Sequence, residues 1–113
     1  MLNKKSDVLK ALETVGGVKH VFFYYPDSFA RLPCVSYYEI NNSPYKRADD
    51  GEYLTEINYQ IDVWAKKSAE ASEIALAVND AMGLAGFIRE FSRDVYQEGA
   101  AAHKTMRFKI IGG

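Results

Sequence analysis

A chain of 113 residues, 48% hydrophobic and 26% charged, has the size of one folded domain and is too apolar to stay disordered. Its 14 basic and 15 acidic residues leave a formal net charge of −1, which excludes the basic excess of a general nucleic-acid binder. No apolar run approaches the ~20 residues that cross a bilayer as a helix, so no membrane association is expected, and Met1–Lys5 leads into Ser6 and Asp7 rather than into the apolar core of a secretory leader.

The first predicted element is a helix over Ser6–Val15. Val8, Leu9, Leu12 and Val15 fall on one stripe, Ser6 or Asp7 serves as N-cap, and Gly16-Gly17 ends it. Val18–Tyr25 follows as a strand rich in β-formers, expected to be buried on both faces for part of its length and stopped by Pro26-Asp27. Ser28–Pro33 connects it to a second strand, Cys34–Asn41. Cys34 is the one cysteine, which rules out an intramolecular disulfide and fits synthesis in a reducing cytoplasm.

Asn42–Glu52 is polar and rich in breakers (Ser43-Pro44, Asp50-Gly51), and reads as a loop capping a long hairpin. Tyr53–Lys66 then alternates with period two. Tyr53, Thr55, Ile57, Tyr59, Ile61, Val63 and Ala65 share a face expected to be buried, while Leu54, Glu56, Asn58, Gln60, Asp62, Trp64 and Lys66 share a mostly wet one. Such a strand spans roughly 40 Å, longer than the ~35 Å diameter of a compact domain of this size. It therefore bends or projects as an arm.

A second helix is predicted over Ala69–Met82, capped by Ser68 and ended by Gly83. Ala71, Ile74, Ala75, Val78, Ala81 and Met82 form its packing face. Gly86 releases a fourth strand from Phe87-Ile88, with a break or bulge expected around Ser92-Arg93-Asp94. Gln97–Ala102 reads as a loop and His103–Ile111 as a final alternating strand. The fold class is α+β: one mixed, mainly antiparallel sheet in the order α-β-β-β-α-β-β, two helices on one face, and a long projecting β-hairpin.

Catalytic constellations are absent from the pattern. Cys34 sits in an apolar strand with no histidine near it in sequence, and no serine lies in a G-x-S-x-G elbow. His20 and His103 have no ligand partner three to five residues away, and Asp49-Asp50-Gly51-Glu52 lacks the alternation of a calcium loop. Glu56 and Asp62 share a strand face about 20 Å apart, too far to act on one substrate. The reading is a protein without catalytic, metal or cofactor sites.

Aromatic side chains carry the remaining signal. Tyr24-Tyr25 and Tyr37-Tyr38 are adjacent pairs that cannot all point inward, and Trp64 stands among Asp62 and Lys66. Aromatic residues outside a core are enriched at subunit interfaces; a helix covering the second sheet face is the alternative. The hairpin residues Tyr45, Lys46, Arg47, Asp49, Asp50 and Glu52, together with Trp64, are the candidate oligomer or partner contacts.

The leading helix, Val21-Phe22-Phe23-Tyr24, Leu32-Pro33-Cys34-Val35, the Glu56–Trp64 strand, the alanine-rich helix and His103-Lys104-Thr105-Met106-Arg107-Phe108 together resemble the tail terminator, or tail completion and head–tail joining, proteins of long-tailed bacteriophages and prophages. The resemblance covers nearly the entire chain and consists of an order of elements rather than a motif of functional residues. It implies a non-enzymatic virion protein of the tail–head junction that assembles with itself as a ring of six. The implied partners are the tail tube protein and a head-completion or connector protein, with DNA passing through unbound. A head-completion or neck adaptor, or a small ligand-binding α+β domain, remains as an alternative.

Overall fold

A computed structural model describes residues 1–48, 51–96, 99 and 101–113. Two helices, α1 (Lys5–Glu13) and α2 (Ser68–Leu84), accompany five strands, β1 (His20–Phe23), β2 (Cys34–Ala48), β3 (Gly51–Ala65), β4 (Ile88–Val95) and β5 (Ala102–Gly112). The strands form one sheet in the order β1-β2-β3-β5-β4. Only β1 against β2 is parallel; the other pairings are antiparallel. The expected α+β order and mixed sheet are both found.

The period-two pattern of β3 sets the layers. Ile57, Tyr59, Ile61, Val63 and Ala65 are buried, and they share one core with Val8 and Leu12 of α1 and with Ala71, Ile74, Ala75, Val78 and Met82 of α2. Val35 and Tyr37 of β2 and Met106 and Phe108 of β5 complete it from the flanking strands. Both helices therefore cover the same face. Each aliphatic or aromatic side chain buried here contributes on the order of 1.5–3 kcal/mol, and the alanines let α2 approach the sheet closely. Tyr59 is fully buried, and desolvation pushes its phenol pKa strongly upward.

The long axis of the molecule comes from β2 and β3. Each runs for 15 residues, and the molecule measures 53 × 25 × 22 Å with a radius of gyration of 14.9 Å, above the ~13 Å of a compact domain this size. The register with β5 ends at Thr55↔Gly112. Beyond it, Lys46, Arg47 and Ala48 of β2 pair with Leu54, Glu52 and Gly51 of β3, and this ribbon is the projecting arm.

Several boundaries differ from the sequence reading. The expected Asn42–Glu52 loop is strand almost throughout, with pairing carried to Ala48↔Gly51. A two-stranded ribbon buries neither face, so its residues need not alternate, and polar side chains there mimic a loop. Pro44 is accommodated because β2 has no strand partner on its outer side at that point. Register shifts leave Ile40, Tyr45 and Tyr53 without partners, and all three side chains are exposed; the bulges turn large apolar residues out of the sheet.

The first strand is the short edge strand His20–Phe23, half exposed rather than buried on both faces. Tyr24, at φ 75, turns the chain away. The β4 bulge falls at Glu90, between Arg89 and Phe91, rather than at Ser92–Asp94. Lys4 and Lys67 occupy the N-cap positions and no side chain caps either helix. In the expected Gln97–Ala102 loop, Gln97, Glu98 and Ala100 lie outside the described residues, and Ala102 already belongs to β5.

Candidate assembly surfaces

The arm presents Tyr45, Lys46 and Arg47 on β2 and Glu52 and Tyr53 on β3, all exposed. Asp49 and Asp50, also expected as contacts, lie outside the described residues. Glu52 accepts a hydrogen bond from the Thr55 hydroxyl and pairs with the Met1 ammonium at 3.0 Å. The Thr55 bond, then the ammonium, holds its carboxyl below the usual glutamate range. Asn42 Nδ2 donates to the Leu2 carbonyl at 2.7 Å, so the first two residues lie along the base of the arm. Among the described residues, Tyr45, Lys46 and Arg47 have no such ties to the body of the subunit.

Trp64 is placed differently from expectation. It is 2% exposed and forms a second apolar cluster with Leu32, Cys34 and Ala101 on the face away from the helices. The segment following β1 folds back over this end of the sheet. Tyr25 and Phe29 pack on the indole at 5.4 and 5.0 Å between centroids, and Trp64 Nε1 donates to Ser36 Oγ at 3.2 Å. The supposedly wet face of β3 is thus covered at this end, and Asp62 and Asn58 are buried as well. Strand alternation identified the face correctly but carries no information about a loop folding across it.

Asp62 is held from two sides, with His103 Nε2 2.7 Å from Oδ1 and Gln60 Nε2 donating to Oδ2 at 3.1 Å. Burial pushes the Cys34 thiol up to about 11, so at neutral pH it is a packing group rather than a nucleophile. Ser36 accepts from the indole and Asp62 is engaged by His103, and among the described residues no nucleophile–base–orienter array is formed around them. Among the described residues no cluster of three or more His, Cys, Asp and Glu is placed to hold a metal ion, and no helix is long and apolar enough to cross a membrane.

Two further surfaces were not singled out by the hairpin reading. At the β1 edge, Phe23, Tyr24 and Tyr25 are 55%, 62% and 54% exposed in succession. Tyr24 adopts the left-handed region, which costs a non-glycine residue on the order of 1–3 kcal/mol. It is held there by donating its N–H to the Tyr37 carbonyl at 2.7 Å and by stacking its ring on Tyr38 at 4.8 Å. On the opposite side, α2 exposes Glu73, Leu76 and Asp80 along one ridge. The doubled tyrosines signalled the first surface. Positions i, i+3 and i+7 of α2, left over once its core face is assigned, signalled the second.

These surfaces and the elongated sheet offer exposed area for contact with other chains. No curated protein matches the chain. The family model described as tail completion protein gp17 matches residues 5–111, almost the full sequence. The chain belongs to the tail completion protein gp17 family and is a bacteriophage tail-assembly protein, a component of the virion.

Proposed function

We propose that this tail-assembly protein closes into a ring of six copies that caps the tail tube and joins it to the head, with no catalytic role. The observation that carries the reading is the arm, a two-stranded ribbon that leaves the body of the sheet and carries the exposed side chains of Tyr45, Lys46 and Arg47. An arm of this kind reaches a neighbour, and a head-to-tail contact between unlike surfaces closes when its rotation divides a circle. Tyr45, Lys46, Arg47, Asp49, Asp50 and Glu52 are the contacts proposed for the arm. Its partners are neighbouring copies, the tail tube protein and the head connector. A net charge of −1 suits a lumen through which DNA passes without being held.

The test is light scattering on the purified protein, alone and with tail tubes, followed by electron microscopy of the tube ends. Annular particles, or tubes capped by a closed ring, are expected. Reversing Lys46 and Arg47 to glutamate should abolish capping while leaving the melting temperature within the range of neutral surface changes. Protein that binds portal-bearing heads but never tail tubes would instead identify a neck adaptor.

A further inference from the structure

We infer that the two long sides of the sheet are the mating halves of one self-contact, in which the Phe23–Tyr25 corner of one copy seats on the Glu73–Leu76–Asp80 ridge of the next. This rests on the ring reading above and names the surfaces that would build it.

The two sides are unlike. β1 and β4 are the opposite edges of the sheet. The corner stands at β1, whereas Leu76 leans toward β4, lining a groove of about 230 Å³ with Ala75, Arg89, Ser92, Lys104 and Met106. Copies joined corner to ridge add in one direction around an axis, the arrangement a closed ring requires. A contact of either side with itself would stop at a dimer.

Both halves carry exposed apolar surface of the anchoring type. The corner offers three consecutive exposed aromatics, one held in a costly backbone conformation that keeps its ring on Tyr38. The ridge offers Leu76, 67% exposed in mid-helix, beside the groove. Aromatic anchors entering small apolar recesses dominate the energetics of protein interfaces.

Charge distinguishes this pairing from other apolar occupants. α2 carries Glu70, Glu73 and Asp80 and no basic residue. At the corner, Lys5 Nζ stands 5.3 Å from the centre of the Phe23 ring. A cation over an aromatic on one copy thus meets carboxylates flanking a leucine on the next. Such opposite potentials steer association and fix its register. Arg89 and Lys104 also line the groove, Lys104 being engaged by Asp94 at 3.4 Å, so the acidic character belongs to the α2 ridge itself.

The experiment uses Leu76→Asp and Phe23→Asp, both at exposed positions, with circular dichroism melts as the folding control and Tyr25→Asp as a substitute if Phe23→Asp melts early. By sedimentation velocity, wild-type protein should assemble at high concentration or on tail tubes, and each variant alone should remain monomeric. An equimolar mixture of the two should give dimers and nothing larger, because each dimer contains one intact corner and one intact ridge. Lys5→Glu and Glu73→Lys should each weaken assembly roughly tenfold, and the doubly reversed chain should recover it.

Variants that assemble as the wild type does, or a mixture that stays monomeric, would overturn the corner–ridge contact while leaving the ring reading standing. Wild-type protein that remains monomeric even when bound to tail tubes would remove both, and would assign these surfaces to a different partner.

Discussion

Trp64 lies flat on His103, with ring centroids 3.7 Å apart and planes 11° from parallel. The two are cross-strand partners on β3 and β5, and His103 also reaches Asp62. The stack therefore joins the apolar cluster under the loop after β1 to the polar row at the middle of the sheet. An indole that alternation alone assigns to solvent becomes the centre of a small second core.

Trp64→Ala should consequently behave as a core truncation. A loss of about 3–5 kcal/mol is expected, against the roughly 0.5 kcal/mol typical of an exposed position. Urea unfolding followed by far-UV circular dichroism measures it, and a shift within the surface range would show that the loop does not hold the indole.

Ala75 faces the sheet from α2 and is buried in the main core. Ala75→Trp should overpack that contact and cost roughly 1–3 kcal/mol. The melting temperature should fall, and an unchanged transition would place Ala75 against solvent.

Glu52 titrates below its ordinary range chiefly because the Thr55 hydroxyl donates to it. Thr55→Val should return its pKa toward the value of a free glutamate, read directly from the side-chain carboxyl shift in an NMR pH titration. The sign follows from the depressed folded-state value: the tie is present above the unfolded pKa and is lost as pH falls through the folded one. Acidification should thus release Met1 from the arm before the sheet itself unfolds.

The Cys34 thiol, raised to about 11, should be about a hundredfold slower to alkylate at pH 8 in the folded protein than in urea, since the free thiol titrates near 8.5. Its raised folded-state value also implies a stabilisation fully present below the unfolded pKa and lost as pH rises toward the folded one. Iodoacetamide labelling read by mass spectrometry checks the first point, and alkaline urea melts check the second.

The elements that face the helices were legible in the sequence because burial imposes a period. The β3 alternation, the α2 stripe and the Met106–Phe108 pattern each identify a side that packs. The arm was harder to delimit, since residues 44–47 bury neither side and carry the composition of a turn. The second core was hidden for a different reason: Trp64, Ser36, Cys34 and His103 come together only through strand pairing and the returning loop, neither of which has a local signature. The exposed aromatic corner was legible as surplus aromatics at Tyr24-Tyr25, whereas the acidic ridge emerged only after the packed side of α2 was known.

Both rims of the sheet are broken as backbone templates, by Pro44 and the Ile40 and Tyr45 bulges along β2 and by the Glu90 bulge among the charges of β4. A chain with long exposed strand edges at high local concentration is at risk of zippering into amyloid-like stacks. Interrupted rims deny it that route, so even a concentrated solution of the chain finds no continuous edge along which to polymerise into fibrils.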